Sequence, residues 1–286
     1  MARWHLAVLF GLACAPAKPA PGAAPAPGPG PTPPAESSAA TKEKGIQLRT
    51  DGVYRYALTR RDSLVAQMPS GESQVQVTGQ TAYVTISLQP TGAGAQFSAV
   101  LDSVRPDPDI TIPSTQLDSA EKARWTSTLQ PGGWLDSLKA SKRSFLADEV
   151  RDQVNLLFPI VPTEGVRAGA TWEATGSVPA RLSVVDLTET VAASGSAGQV
   201  TSADGVRFVP VTVVRSTSGQ GSSMQSAQPL DLSATGRDSL DYRLSWDGRV
   251  LAAEGTSSRT MTLTVRDVGQ TVPVTQDSRV TFQLLP

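Results

Sequence analysis

Nucleophilic and acid–base chemistry in proteins leans on His, Cys or converging carboxylates, and this chain of 286 residues is nearly without the first two. Its single His is His5 and its single Cys is Cys14. Beyond them no Ser-His-Asp or Cys-His unit can form, and no zinc site of the usual ligand set. Ser119-Ala120-Glu121-Lys122 spells S-x-x-K, a spacing that can activate a serine nucleophile, but its companions S-D-N and K-T-G are missing. Asp102, Asp107 and Asp109 crowd one stretch and could approach a Ca²⁺, yet Pro106 and Pro108 interleave them without EF-hand spacing, which favours a solvated turn. There is no G-x-x-x-x-G-K-[ST] and no strand–helix glycine fingerprint, so no nucleotide is implied. A two-carboxylate glycosidase is compatible with the composition, but no pair stands out. The expectation is therefore no catalytic residue, no cofactor and no metal.

Cys14 suits a different chemistry. Arg3 and His5 form a short positive segment, and Leu6 to Leu12 an apolar run too short to span a bilayer but long enough for a signal peptide. Gly11-Leu12-Ala13-Cys14 resembles the lipobox of bacterial lipoproteins, with Gly11 where a Leu-like residue is usual. The resemblance implies removal of residues 1–13 and lipidation of Cys14, hence export to the bacterial cell envelope, on an outer membrane facing the periplasm or the cell surface. Ordinary secretory cleavage after Ala15 is the alternative, because Ala13-Cys14-Ala15 also has the small-x-small pattern.

Residues 14–44 follow as a tether. Nine prolines lie between Pro16 and Pro34, interleaved with Ala and Gly and with almost nothing to bury. Such a segment favours polyproline II, and the thirty residues after Cys14 could reach roughly 90 Å if fully extended. The charge balance is 25 basic to 26 acidic side chains, which argues against a nucleic-acid partner.

Residues 45–286 must then supply the whole fold, and they read as strands. Val53 to Leu58, Gln74 to Thr78, Val84 to Leu88 and Gln96 to Val104 alternate between Gly/Pro/Asp punctuation. Asp118 to Ala123 suggests one helical turn. Trp125 to Leu129, a Gln130-Pro131-Gly132-Gly133 turn and Trp134 to Leu138 suggest a hairpin. Tyr242 to Leu251 repeats its grammar: setting Gly133 on Gly248 places Leu129 on Leu244. Arg181 to Val191, Val206 to Thr217, Asp238 to Ser245, Arg249 to Glu254, Thr260 to Val265 and Val280 to Leu285 complete the set, with Gly219 to Gln228 as a mobile loop. The end strand could pair back on the sheet. The expected fold is mainly β: antiparallel meanders forming a curved sheet or half-barrel from two similar halves, about 45–143 and 165–286.

One segment differs. Leu146, Val150, Val154 and Leu157 form a single apolar stripe, with Asp148, Glu149, Arg151 and Asp152 on the other side. That predicts a bridging helix around 145–157, with Ser144 as its N-cap and Pro159 ending it. A covering helix is the default, and if there is a cavity this helix is its lid. Phe158-Pro159-Ile160-Val161-Pro162 and Val166-Arg167-Ala168-Gly169-Ala170-Thr171-Trp172 then resemble the FPxxP…VxxGxxW passage of uncharacterised bacterial β-rich exported lipoproteins. The resemblance covers some fifteen residues plus the layout. It implies compartment and architecture, with 144–164 joining two β-rich portions, and no activity.

The functional expectation is a membrane-tethered, non-enzymatic binding or structural module. Trp125, Trp134, Trp172 and Trp246 sit beside turns on expected strands. They either fill the core or line a cavity in the curved sheet, which would suit a lipid or other hydrophobic ligand. The expected partners are the membrane, through the lipid anchor, and a hydrophobic ligand or an envelope protein. A carrier of a hydrophobic ligand and a carboxylate-dependent hydrolase remain as alternatives. The hydrolase would need converging carboxylates with raised pKa values in a cleft.

Overall fold

The computed structural model describes residues 45–286 except 69, 93, 183–184, 204 and 226–227. The expected leader and tether, with Cys14, lie outside the described residues. The strands β1 (Gly52–Gln67), β2 (Ser73–Thr91), β3 (Gly94–Pro106), β4 (Arg124–Leu129) and β5 (Lys139–Ala140) form one arm of an antiparallel sheet. The other arm holds β6 (Thr171–Leu182), β7 (Val185–Ala197), β9 (Val206–Gln225), β10 (Gln228–Ser245), β11 (Val250–Val265) and β12 (Gln270–Leu284). A short β8 (Thr201–Ala203) also pairs with β9. Along the sheet the order is β5-β4-β3-β2-β1-β12-β11-β10-β9-β7-β6, and it curls through 240° into a half-barrel.

The last strand does pair back, and it does so in the middle of the sheet. β12 joins β1 from Tyr56↔Leu284 to Ala66↔Val274, so the first arm runs outward from this seam and the second runs inward to it. β5 and β6 are left as the edges. Side-chain alternation with period two then fixes which residues share the concave face.

Several strands are longer than their sequence signals. β2 unites the expected Gln74–Thr78 and Val84–Leu88 runs, and β11 unites Arg249–Glu254 with Thr260–Val265. Gly219 to Gln228 is not the expected loop: β9 continues to Gln225 and β10 begins at Gln228. Its glycines have a packing role, because a Cβ on Gly219 would come within 2.6 Å of Leu187 Cδ1 on the neighbouring strand. The expected strand across Arg181–Val191 is instead split between β6 and β7, which pair with each other. The early helical turn sits slightly upstream, as α1 (Ser114–Ala120).

The two hairpin turns compared in the sequence have one geometry. Gln130 N donates to Trp134 O and Gly133 N to Gln130 O; Ser245 N donates to Arg249 O and Gly248 N to Ser245 O. Gly133 and Gly248 share φ = +84°, where a side chain is strained. After the first turn, however, Trp134–Leu138 keeps only a Leu129↔Leu135 bridge. The expected second arm is therefore not a strand there. The chain reaches the edge only at β5.

Helix α2 (Phe145–Leu156) is where the spacing put it, and Ser144 Oγ caps it by accepting from Ala147 N at 3.2 Å. Leu146, Val150, Val154 and Leu157 are all buried in the main core, with Leu58, Phe97, Trp125, Tyr242 and Phe282. Tyr242 Oη donates to Leu156 O at 2.7 Å, satisfying one of the orphan carbonyls at the helix C-terminus. Phe158 meets Phe97 edge-to-face at 6.0 Å, and Trp172 Nε1 donates to Ile160 O at 2.9 Å. The segment 144–172 is thus a packed plug across one end of the half-barrel, and the FPxxP and GxxW positions are its anchors.

Candidate functional site

The register sorts the concave face into rows, each about 7 Å from the next at two residues per step. Nearest the plug, Ala82, Leu58, Phe282, Ala253, Tyr242 and Val211 lie side by side across β2, β1, β12, β11, β10 and β9. Two rows on, Asp62, Ser278, Ser257, Asp238 and Arg215 occupy the same face. Arg60 lies between these rows, and Arg259 and Glu189 lie one and two rows beyond. Ala234 and Met261 share the row of Glu189, and one row farther out Leu187, Leu232 and Leu263 make the face apolar again. A charged belt is therefore set between two apolar zones.

The belt is internally paired. Arg60 Nε lies 2.8 Å from Asp62 Oδ1, Arg215 Nη2 2.7 Å from Asp238 Oδ2, and Arg259 Nη2 3.4 Å from Glu189 Oε1. All three pairs are mostly buried, with the carboxylate side chains of Asp62, Asp238 and Glu189 only 5%, 4% and 7% exposed. Buried charge is tolerated only when paired in this way.

Facing the belt is the other side of α2. Asp148, Glu149 and Asp152, expected opposite the apolar stripe, look across a cavity of about 210 Å³ instead of into open solvent. Its remaining walls include Leu64, Trp134, Phe158, Ile160, Val178 and Val191. Arg151 holds Asp148 at 3.3 Å and Asp152 at 2.9 Å. Glu149 differs: its carboxylate accepts from Gln80 Nε2 at 3.3 Å, and among the described residues no cation lies within ion-pairing range. Burial, reinforced by the negative charges of Asp62 and Asp152, pushes its carboxyl up to about 7 against the pull of Arg60. Burial also raises Glu189, with Asp152 and Asp238 adding to it and Arg259 opposing. For Asp238 burial pushes upward too, but Arg215 and the hydrogen bonds from Ser257 and Arg215 hold it below the ordinary carboxylate range.

Of the four tryptophans, one reaches this cavity. Trp134 lines it, with its ring over Gly176 of β6. Trp125 is fully buried in the core, and Trp172 lies against Gly195. Trp246 is 48% exposed on the outside, 4.7 Å from the Arg207 guanidinium. The two expected places are divided among them: Trp125 fills the core and Trp134 lines the cavity, while Trp246 has neither place, because strand parity and turn position, which the sequence does not orient, separate them.

The other candidates have local partners. Asp107 and Asp109 clamp Arg61 at 3.1 and 2.6 Å, while Asp102 accepts from Thr85 Oγ1 and lies 3.4 Å from Arg55. Ser119 Oγ donates to Gln116 O, and Lys122 sits 3.5 Å from Glu121.

Sequence reasoning did not single out the belt, although a signal was present. In Tyr56-Leu58-Arg60-Asp62-Leu64, Val211-Val213-Arg215-Thr217, Leu187-Glu189-Val191 and Leu232-Ala234-Asp238-Leu240, charges fall in phase with the apolar side of a strand. A charge in the apolar phase must be paired inside or face a ligand. Here pairing and a cavity coincide. Comparison with protein-family models, curated proteins and solved structures finds no match to this chain.

Proposed function

We propose that this protein is an exported binding module, held at a bacterial membrane through lipidated Cys14, that takes a small molecule into the cavity between α2 and the half-barrel without transforming it. The observation carrying this reading is the roofed cavity itself, with one apolar wall, one charged wall and a single helix over it. Its volume of about 210 Å³ is below that of pockets for drug-sized ligands, so the occupant is small. The Pro/Ala/Gly tether would let the domain sample space well away from the membrane surface. A hydrolytic role is less well supported, because Asp152, Glu189 and Asp238 are each drawn to an arginine and leave Glu149 without an ionised partner poised for catalysis.

The second reading, a carrier of a lipid or other hydrophobic ligand, draws on the apolar strip of Leu187, Leu232, Met261 and Leu263 beyond the belt. A longer ligand could lie along that strip if α2 moved. Titration of the full chain with the amphiphilic dye 8-anilinonaphthalene-1-sulfonate tests whether the cavity binds at all. Saturable one-to-one fluorescence, abolished by filling the cavity with Ala180→Trp, is the expected result. Unsaturable binding, or binding indifferent to that substitution, would overturn the cavity reading. Mass spectrometry of the mature N-terminus tests the anchor: diacylglycerol on Cys14 is expected, and an unmodified terminus beginning after Ala15 would refute it.

A further inference from the structure

We infer that the cavity takes a small organic cation, an ammonium or amidinium group on a short apolar body, with its charged end between Glu149 and Glu189. This rests on the reading of the cavity as a binding site and adds the chemical class of its occupant.

Charge is the first argument. The cavity is lined by Arg60, Arg215 and Arg259 and by Asp148, Glu149, Asp152, Glu189 and Asp238. With Asp62, which pairs with Arg60, and Arg151, which pairs with both Asp148 and Asp152, six carboxylates stand against four guanidiniums. Each guanidinium already has a carboxylate close by. An anion entering here would find its candidate donors occupied and an excess of carboxyl groups around it. A neutral molecule would leave Glu149 with Gln80 as its hydrogen-bonding partner and only the distant pull of Arg60, with no salt-bridge partner among the described residues. A cation answers the imbalance.

Geometry is the second. Glu189 is a buried residue whose Oε1 accepts no hydrogen bond, although Arg259 is 3.4 Å away. A buried carboxylate oxygen without a donor is costly, and an N–H from a ligand in the cavity would supply one. Trp134 and Phe158 offer aromatic surface to the same space, which favours a cation with an apolar body. At about 30 Å³ per water, 210 Å³ holds the equivalent of roughly seven waters, so the occupant has on the order of ten non-hydrogen atoms. The upward displacement of both carboxyls by burial is consistent with sites awaiting a counter-charge.

Three probes with one apolar body separate the possibilities: 2-phenylethylamine, 2-phenylethanol and 3-phenylpropionate. Calorimetry on the full chain at pH 7.5 should find the amine bound at least tenfold more tightly than the alcohol, and the acid not bound. Glu149→Gln should weaken the amine about tenfold and leave the alcohol unchanged. Glu189→Gln serves as the second variant, with the thermal melt of each recorded so that lost folding is not read as lost binding. Amine binding near pH 7 should also release protons, seen as a dependence of the observed heat on the buffer's ionisation enthalpy. Equal or tighter binding of the alcohol or the acid, or an amine affinity unchanged in Glu149→Gln, would overturn the inference. If no probe binds while the dye still saturates the cavity, the cation falls and the cavity reading survives; if the dye fails as well, both fall.

Discussion

The plugged end and the belt of this half-barrel are built by the same strands and the same alternation, yet they solve opposite problems. At the plug, Leu58, Phe282 and Tyr242 share one buried hydrophobic cluster with Val150, Val154 and Leu157 of the helix. A few residues along, Arg60, Asp62, Arg215, Asp238, Arg259 and Glu189 occupy the same inward phase. Apolar burial stabilises the plug by roughly 25 cal/mol per Å² removed from water. The buried ion pairs of the belt roughly offset their own desolvation, so they contribute little net stability. What the belt adds is a fixed pattern of charge beside a cavity. The contrast separates a region that holds the fold from one that gives it something to bind.

The largest expected effect tests the plug. Phe282→Ala should cost about 4 kcal/mol in denaturant melts, since Phe282 is fully buried at the seam strand β12. A cost below about 1 kcal/mol would mean that the plug is not the stabilising region.

Next comes the belt. Asp238→Ala, leaving Arg215 buried without its partner, should cost about 3 kcal/mol, whereas the double change Arg215→Met with Asp238→Leu should be close to neutral. If the double variant is as unstable as the single one, the pair stabilises the fold and the contrast with the plug collapses.

A smaller effect belongs to Glu149. Its folded-state carboxyl titrates near 7, above the unfolded value, so the folded protein holds more protons between roughly pH 4.5 and 7. Stability should therefore fall as pH rises through that window, by at most about 3 kcal/mol, and level off above it. Melting temperature against pH should show this fall in the wild type and lose it in Glu149→Gln. A rise across the window would reverse the assignment.

The smallest expected changes lie at a cap and at the surface. Ser144→Ala should cost about 1 kcal/mol, because Ala147 N loses its acceptor at the start of α2. Trp246→Ala, removing a ring that is about half exposed beside Arg207, should change stability by about 0.5 kcal/mol. A large loss in Trp246→Ala would point to an inward role for that ring.

Much of the fold was legible from local chemistry. Alternation in Val84–Leu88 and Gln96–Val104, the Asp247-Gly248 turn, and the Leu146/Val150/Val154/Leu157 stripe each specify an element through contacts within a few residues. Element ends were less legible, because pairing partners, and not the strand's own sequence, carried β9 through Gly219 and Gly221 and β11 through Gly255. Of the four tryptophans Trp134 lines the cavity, whereas Trp125 is in the core, Trp172 hydrogen-bonds the plug at Ile160 and Trp246 is on the surface. The strand charges that line the cavity were visible only as charges in an apolar phase, and Asp148, Glu149 and Asp152 only as the polar side of a helix; neither says whether a partner or a solvent-filled space meets them.

What the sequence by itself determined is the β character, the capped helix with its apolar stripe, the shared turn geometry at Gly133 and Gly248, and the lack of His and Cys in the body of the chain. These follow from side-chain chemistry and from periods of 2 and 3.6 residues, which act locally. The tertiary structure alone decided that β12 lies beside β1, that the sheet curls around α2, and that the acidic side of that helix faces a belt of arginines and carboxylates. Those outcomes depend on residues brought together from more than two hundred positions apart, as in Tyr56↔Leu284. A period of two states that a strand has two faces, and only the closing of the sheet determines which of them is the inside.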